Sequence, residues 1–210
     1  MMLHLASKTS QSSLSTFEPG DVQPNAIDLR VESIHRMKDN TFIIDEDHKQ
    51  HRGSESVKIA KDTQNWYLEP GTYEIIMQGL IQLGPNEAGF VITRSTLNRN
   101  GLFITSGLYD SGYRGVMAGA LHVTMGDAII KKGTRVAQFL LWKAESMHQY
   151  DGDYGVGKKH DSKYSNDPEA EVDLTPCDVE PTDGGTMIYY ADGHEWEFDG
   201  GGSLVKKIKE

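Results

Sequence analysis

The most informative stretch of this chain begins with Arg94-Ser95-Thr96-Leu97-Asn98-Arg99-Asn100-Gly101. It continues with Tyr109-Asp110-Ser111-Gly112-Tyr113-Arg114-Gly115 and with Gly133-Thr134-Arg135-Val136-Ala137-Gln138. The first motif is a cationic turn with two hydroxyl groups, the second surrounds one acid with glycines, and the third adds an arginine and a glutamine. Guanidinium and hydroxyl groups bind phosphate oxygens, and a positioned carboxylate can accept a proton from water. Together the motifs indicate a site for a polyanion and a water nucleophile.

Short strands and turns dominate the sequence outside these motifs. The chain has 22 glycines and 7 prolines, and no segment keeps a helical period over more than about two turns. This pattern predicts an all-β fold, either a sandwich, a jelly roll or a barrel. Ser95 or Thr96 is expected to cap a short helix. We expect strands at 26–31, at 67–76 around the turn Pro70-Gly71, at 89–93, at 116–123 and 128–130, and at 136–142.

Composition divides the chain into three segments. Residues 1–20 are polar and rich in serine and threonine, which predicts a loosely held arm or an edge strand. Residues 21–167 form the main domain, with a charged loop or hairpin at 45–64 and a mobile segment or flap at 149–167. Residues 168–210 are an acidic linker followed by a hairpin extension, for which Asp192-Gly193 supplies the turn.

Charge and cysteine content limit the possible functions and compartments. The formal net charge of −10 argues against nucleic acid as a partner, so a bound phosphate requires a local cluster of cations and a metal ion. The single cysteine, Cys177, excludes an internal disulfide and a cysteine-rich zinc site. No apolar run approaches the ~20 residues of a membrane span, and the N-terminus lacks a secretory pattern. We therefore expect a cytoplasmic protein without a membrane partner.

Each candidate site residue also has a purely structural interpretation. The arginines of residues 94–99 could be solvated at a helix start, Asp110 could be a turn former, and Tyr113 could belong to ordinary sheet packing. Arg135 and Gln138 are three positions apart, so a regular strand would put them on opposite faces, one toward a ligand and the other toward an interface. Residues 158–164, with three lysines, could be a phosphate lid or a solvated loop.

The order and spacing of the motifs resemble the dUTPase and dCTP deaminase superfamily over about residues 20–167. The segments that carry the resemblance are Val22–Arg30, with its Gln-Pro-x-x-x-Asp-Leu-Arg pattern, the three motifs above, and Asp161-Ser162-Lys163-Tyr164. The resemblance implies a distorted jelly roll of the β-clip type, with short helical turns and the C-terminal extension added. It also implies a homotrimer with active sites at subunit interfaces.

The resemblance further implies a role for each matching residue. Ser95, Thr96 and Arg99 would hold a triphosphate, with Arg94 supporting the turn, and Asp110 would bind the sugar 3′-hydroxyl or the attacking water. Tyr113 would pack against deoxyribose, and the backbone of Ala118, Gly119 and Ala120 would recognise the pyrimidine edge. Gln138 would contact the phosphates or an interface. Lys163 and Tyr164, with Tyr154 or Tyr150 before them, would close over the phosphates, whose charge Mg²⁺ would neutralise.

One departure from the pattern decides between the branches of the superfamily. The deaminases carry a proton-shuttling glutamate at the position that an ungapped count from Asp110 assigns to Ala120, and alanine cannot transfer a proton. The lid glutamine of the deaminases also falls on Asp167. The sequence therefore favours a dUTP diphosphatase, which forms dUMP and pyrophosphate. A dCTP deaminase, mono- or bifunctional, and a non-catalytic regulatory or binding protein remain as alternatives.

Overall fold

The computed structural model describes residues 1–158, 178–182, 185–189, 195–199 and 204–208. The chain divides into two compact units, Met1–Pro168 and Glu169–Glu210. The domain boundaries expected from composition remain predictions. No helix in the described ranges is long and apolar enough to span a membrane.

Strands are the dominant regular structure of the first unit, as the sequence predicts, and the all-β assignment is confirmed. A helix, α1 (Ser95–Asn98), follows the ninth strand, and a 3-10 turn occupies Pro19–Asp21. The strands are β1 (Met2–Leu3), β2 (Ser13–Leu14), β3 (Ile27–Met37), β4 (Ile43–Ile44), β5 (Lys49–Gln50), β6 (Ser54–Ser56), β7 (Asn65–Leu68), β8 (Gly71–Gln82), β9 (Glu87–Thr93), β10 (Leu102–Thr105), β11 (Leu108–Tyr109), β12 (Arg114–Val123), β13 (Ala128–Lys131) and β14 (Arg135–Lys143).

The main sheet is antiparallel and strongly curled. Its strand order is β10-β12-β8-β3-β14-β9-β11, so its first and last strands are neighbours in sequence. Three backbone steps separate Thr105 of β10 from Leu108 of β11, and such a segment spans at most about 11 Å. Because this short connection joins the two ends of the sheet, the sheet must curl until its edges approach each other, as in a jelly roll.

The core lies inside this curl and is filled by the two longest strands and their partners. Ile27, Leu29 and Val31 of β3 are almost fully buried, and alternate with polar positions as a strand facing a core requires. Burial of each large aliphatic side chain contributes about 1.5–3 kcal/mol relative to exposure. The other largest side chains with under 2 % exposure are Ile34, Leu68, Tyr73, Ile75, Met77, Ile81, Met117, Leu121, Phe139 and Leu141.

The turn Pro70-Gly71 lies between two strands, as predicted, but those strands do not pair with each other. β7 pairs with β13 in a separate two-stranded sheet, whereas β8 pairs with β3 and β12 in the main sheet. The turn therefore moves the chain from one sheet to another. Sequence patterns locate such a turn but carry no information about the partners of its flanking strands.

The N-terminal arm and the charged excursion both acquire strands. β1 pairs with β14 and β2 with β8, which is the edge-strand interpretation of residues 1–20. β4, just before the charged segment, pairs with β5 inside it as a small hairpin.

The second unit is a four-stranded antiparallel sheet. Its strands pair in the order β15 (Asp178–Thr182), β16 (Gly185–Tyr189), β17 (Glu195–Asp199) and β18 (Leu204–Ile208). β16 and β17 pair with each other, and the Asp192-Gly193 turn predicted between them lies outside the described residues.

Candidate active site

A buried carboxylate, Asp28 of β3, lies at the centre of the polar contacts around β14. Its side chain is 0 % exposed, and its Oδ2 lies 3.2 Å from Nε of Arg94 and 3.3 Å from Nη1 of Arg135. Gln138 donates a hydrogen bond of 2.9 Å from Nε2 to Oδ1. A buried carboxylate is costly unless it is paired, and here two guanidinium groups and one amide compensate it. Asp28 therefore fixes three side chains of the first and third motifs relative to each other.

The expectation that Arg135 and Gln138 point to opposite faces is wrong. β14 pairs with β3 through Arg135 opposite Arg30 and Ala137 opposite Leu29, so two steps along β14 match a single step along β3. The extra residue is a β-bulge, which resets the alternation of side chains. Arg135 and Gln138 consequently both contact Asp28, and Gln138 points to that carboxylate.

The short helix α1 follows this cluster directly. Arg94 is its N-cap residue, with extended backbone and no side-chain capping bond, so the expectation of a Ser95 or Thr96 cap is wrong. The Arg94 backbone N–H donates to Val136 O over 3.1 Å, and its Nη1 donates to Arg135 O over 3.2 Å. These bonds attach the start of α1 to β14.

Ser95, Thr96 and Arg99 are all exposed on α1. Within residues 1–158, no hydrogen bond or ion pair joins their side chains to another group. The turn therefore presents two hydroxyls and one guanidinium to solvent, which is the chemistry that phosphate oxygens require.

The lone acid of the second motif, Asp110, is exposed at the end of β11. The turn beneath it is held by Ser111, which is 2 % exposed and whose Oγ accepts from Asn86 N and donates to Gly84 O. Gly112 has φ of +81°, a value that glycine adopts without strain. The Tyr113 N–H then donates to Asp110 O over 3.0 Å. The turn is thus rigid, while its carboxylate faces solvent.

A cavity of about 1020 Å³ brings together several of the other candidate residues. Tyr113, Ala118, Gly119 and Tyr154 all line it, as do the strand ends around Gly107 and Leu108. Tyr109, Tyr113 and Tyr150 form its aromatic wall. The ring centroids of Tyr109 and Tyr113 are 5.2 Å apart, and those of Tyr113 and Tyr150 are 5.3 Å apart. Among the described lining residues there is none from α1, and neither Asp110 nor Gln138 is present. One chain therefore presents the phosphate-type groups and the cavity as separate surfaces.

Two residues of β12, Val116 and Ala118, have backbone groups that are hydrogen-bonded to tyrosine hydroxyls. Tyr109 Oη donates to Ala118 O and accepts from Ala118 N, each over 2.9 Å, and Tyr113 Oη donates to Val116 O over 2.8 Å. Burial raises the pKa of the Tyr109 phenol to about 12, although its bond to the Ala118 carbonyl acts in the opposite direction. In this structure the backbone of Ala118, expected to recognise a pyrimidine, is hydrogen-bonded to the Tyr109 hydroxyl.

One cavity residue escaped the sequence reasoning altogether, because only strand register reveals it. Glu74 of β8 is the register partner of Ala120 on β12. On its other edge, β12 pairs with β10, where Thr105 is the register partner of Ala120. Its Oε2 accepts a hydrogen bond of 3.1 Å from Ser54 Oγ. The position that lacks a carboxylate therefore has one on the adjacent strand.

Tyr154 lies close to this carboxylate at the mouth of the same cavity. Burial raises the pKa of its phenol, and the charges of Tyr150, Asp153 and Glu74 raise it further. Its backbone N–H donates to Tyr150 Oη over 3.2 Å. The two tyrosines expected in the lid are therefore joined, whereas Lys163 and Tyr164 lie outside the described residues.

The described residues contain no group of three or more His, Cys, Asp or Glu side chains arranged to hold a metal ion. A divalent cation such as Mg²⁺ often keeps several waters and binds through substrate phosphates rather than through an all-protein cage. The donor groups present are compatible with that mode.

Comparison with known proteins gives consistent matches. The family model described as dCTP deaminase-like matches residues 3–144. A probable deoxyuridine 5′-triphosphate nucleotidohydrolase of Halobacterium salinarum is 32% identical over 137 residues, covering 63% of this chain and 82% of the relative. A protein of the same description from Aeropyrum pernix is 30% identical over 138 residues, covering 64% of this chain and 85% of the relative.

Solved structures resemble the chain more distantly. The 2′-deoxycytidine 5′-triphosphate deaminase of Agrobacterium tumefaciens superposes with a TM-score of 0.47 and 16% identity, over 62% of this chain and 43% of that one. The native EIAV dUTPase superposes with a TM-score of 0.36 and 22% identity, over 60% of this chain and 98% of that one.

Proposed function

The chain belongs to the dCTP deaminase-like family, and from that premise we propose that it is a dUTP diphosphatase, which hydrolyses dUTP to dUMP and pyrophosphate. The observation that carries the proposal is the Asp28 cluster. By binding Arg94, Arg135 and Gln138 it fixes the start of α1, where Ser95, Thr96 and Arg99 are exposed to solvent. The archaeal relatives named as dUTP nucleotidohydrolases support the same reaction.

The groups have complementary roles in this reaction. Arg99 and the hydroxyls of Ser95 and Thr96 bind the triphosphate, and Asp110 accepts a proton from the water that attacks phosphorus. Mg²⁺ held by phosphate oxygens neutralises the polyphosphate charge. Tyr113 packs against the deoxyribose, and Tyr154, Lys163 and Tyr164 belong to the segment that covers the phosphates. Hydrolysis requires no acid–base group at position 120.

A homotrimer with composite sites completes this proposal. Because α1 and the cavity are separate surfaces of one chain, the triphosphate of a nucleotide bound in the cavity would meet α1 of a second copy. Mixed oligomers test this arrangement. Subunits with Arg99→Ala and subunits with Asp110→Asn are refolded together, and some sites then receive both native residues. Recovery of activity supports composite sites, whereas two inactive variants that stay inactive when mixed contradict them.

A second candidate is deamination of dCTP, favoured by the position of Glu74 opposite Ala120. In that reaction water adds to C4 of cytosine, Glu74 carries a proton from the water to the ring and the amino group, and the C4–N4 bond breaks to release ammonia. The products are dUTP and ammonia, so atoms balance without a further reactant.

Product analysis distinguishes the candidates. Purified protein with Mg²⁺ is given dUTP or dCTP, and pyrophosphate, ammonia and the nucleotide products are measured. Formation of pyrophosphate and dUMP from dUTP supports the diphosphatase if Asp110→Asn abolishes it. The control Asp127→Asn, in the exposed β12–β13 turn, should leave it unchanged. Ammonia from dCTP supports deamination, and no turnover of either nucleotide would leave a non-catalytic binding protein.

A further inference from the structure

The backbone N–H and C=O of Ala118 are both hydrogen-bonded to the Tyr109 hydroxyl, and the Val116 carbonyl accepts a hydrogen bond from Tyr113. The Ala118 N–H therefore has no donor capacity left for a base while Tyr109 keeps its position. Tyr109 is 8% exposed and packs against Phe139 at 6.1 Å between ring centroids. A side chain anchored in the core in this way does not leave its position at low cost, because its departure would open a cavity.

Side chains of the cavity also offer polar groups for recognition, and Glu74 is the single carboxylate among its described lining residues. Antiparallel register places its side chain on the same face of the sheet as that of Ala120 on β12 and that of His35 on β3. Position 120 carries only a methyl group, so Ala120 brings no second carboxylate beside Glu74. Its hydrogen bond from Ser54 orients the carboxylate at the cavity wall.

We infer that Glu74 is a specificity-determining residue, which recognises the pyrimidine base of the substrate. This inference rests on the proposed function. An ionised carboxylate is an acceptor only, so it selects a base edge that presents a hydrogen-bond donor. Uracil offers its N3–H, and cytosine offers its N4 amino group. Carboxylates accept hydrogen bonds from cytosine N4 in nucleic-acid recognition. Both dUTP and dCTP are then substrates for hydrolysis, and a pyrimidine with neither donor, such as 3-methyl-dUTP, is rejected.

The test compares three substrates and three variants. Glu74→Val removes the acceptor and retains a strand-forming residue, and Glu74→Gln retains an acceptor oxygen. Glu55→Val is the matched control on β6, which pairs with β3, because Glu55 faces Lys38 rather than the cavity. Steady-state pyrophosphate release gives KM and kcat for dUTP, dCTP and 3-methyl-dUTP. Circular dichroism establishes that each variant is folded.

The expected result is a change in recognition rather than in chemistry. Glu74→Val raises the KM for dUTP about 10- to 100-fold with little change in kcat, the size expected for a lost hydrogen bond to a charged group. It also loses the preference for dUTP over 3-methyl-dUTP, while Glu74→Gln recovers part of that preference and Glu55→Val resembles the wild type.

Different failures have different meanings. An unchanged KM and an unchanged substrate preference in folded Glu74→Val would overturn this inference and leave the diphosphatase intact. A fall in kcat at constant KM would overturn it as well, because Glu74 would then act in the chemical step. Failure of the wild-type protein to hydrolyse any of the three nucleotides would instead overturn the proposed function, and the inference with it.

Discussion

Asp28 Oδ2 lies 3.2 Å from Arg94 Nε, so a carboxylate in the core of β3 holds the residue at which α1 begins. The same carboxylate is shared with Arg135 and Gln138 of β14. A single buried acid therefore joins the first and third motifs, and the exposed groups of α1 depend on it for their position.

Replacing Asp28 by asparagine leaves two guanidinium groups without their counter-charge. We expect the free energy of unfolding to fall by about 2–4 kcal/mol, somewhat less than for a fully buried pair, because Arg94 and Arg135 are 29% and 36% exposed. Urea denaturation measures the loss. Glu32→Gln is the control on the same strand, since its pair with Lys132 is at the surface and should contribute at most about 1 kcal/mol. Equal losses in both variants would contradict the role of Asp28.

Arg99 is expected to act on substrate rather than on stability, because it is exposed and has no partner within residues 1–158. Arg99→Ala should lower kcat/KM for dUTP about 10- to 100-fold, the effect of losing hydrogen bonds to a charged group. Arg99→Lys should recover only part of it, since an ammonium group lacks the two-pronged geometry of guanidinium. Lys61→Ala, at another exposed cation, serves as the control. A normal kcat/KM in Arg99→Ala would remove Arg99 from the phosphate site.

Glu87 couples the N-terminal arm to the acid stability of the fold. Burial by itself raises the pKa of this carboxyl, but hydrogen bonds from Ser12, Gln11 and Ser10 outweigh it and leave the pKa below its ordinary value. A lowered pKa in the folded state stabilises the protein above the unfolded pKa, about 4.3. That stability is lost as the pH falls through the folded value.

The corresponding measurement is the unfolding free energy between pH 2.5 and pH 7. Glu87→Gln should be less stable than the wild type at neutral pH and should lose less stability on acidification. The exposed Glu145→Gln variant should keep the wild-type pH dependence. Parallel curves for the wild type and Glu87→Gln would show that Glu87 contributes nothing to acid unfolding.

The elements were predictable from sequence where local chemistry specifies them. Glycine and proline positions indicated short strands and the turn at Pro70, and the run after Arg94 indicated the helix that the structure confirms as α1. The contacts between elements were not predictable in this way. The β-bulge beside Val136, which turns Arg135 and Gln138 to the same carboxylate, leaves no distinct trace in the sequence.

Strand register explains the other omissions. Asp28 appeared as a polar position in an alternating strand, and nothing local distinguishes a solvated acid from a buried one with two arginine partners. Glu74 is far from position 120 in sequence, and only the pairing of β8 with β12 brings the two together. A missing catalytic side chain can therefore be judged only against all strands that border its position.

Tyr109→Phe tests the use of the β12 peptide groups directly. The substitution removes one hydroxyl and leaves the N–H and C=O of Ala118 without their partner, so we expect a loss of about 1–3 kcal/mol in unfolding free energy.

The wild-type phenol has a pKa of about 12, above the ordinary value near 10, so its contribution to stability is present below pH 10 and lost as pH rises through 12. Tyr109→Phe should therefore be less sensitive to alkali than the wild type, as monitored by fluorescence between pH 9 and pH 12. With the Ala118 N–H released, the KM for dUTP should fall in Tyr109→Phe, because that N–H can then donate to O4 of uracil while Glu74 accepts from N3–H. Tyr67→Phe, at an exposed tyrosine of β7, is the matched control. If the KM for dUTP stays unchanged in a folded Tyr109→Phe protein, the Ala118 peptide takes no part in base recognition even when it is free.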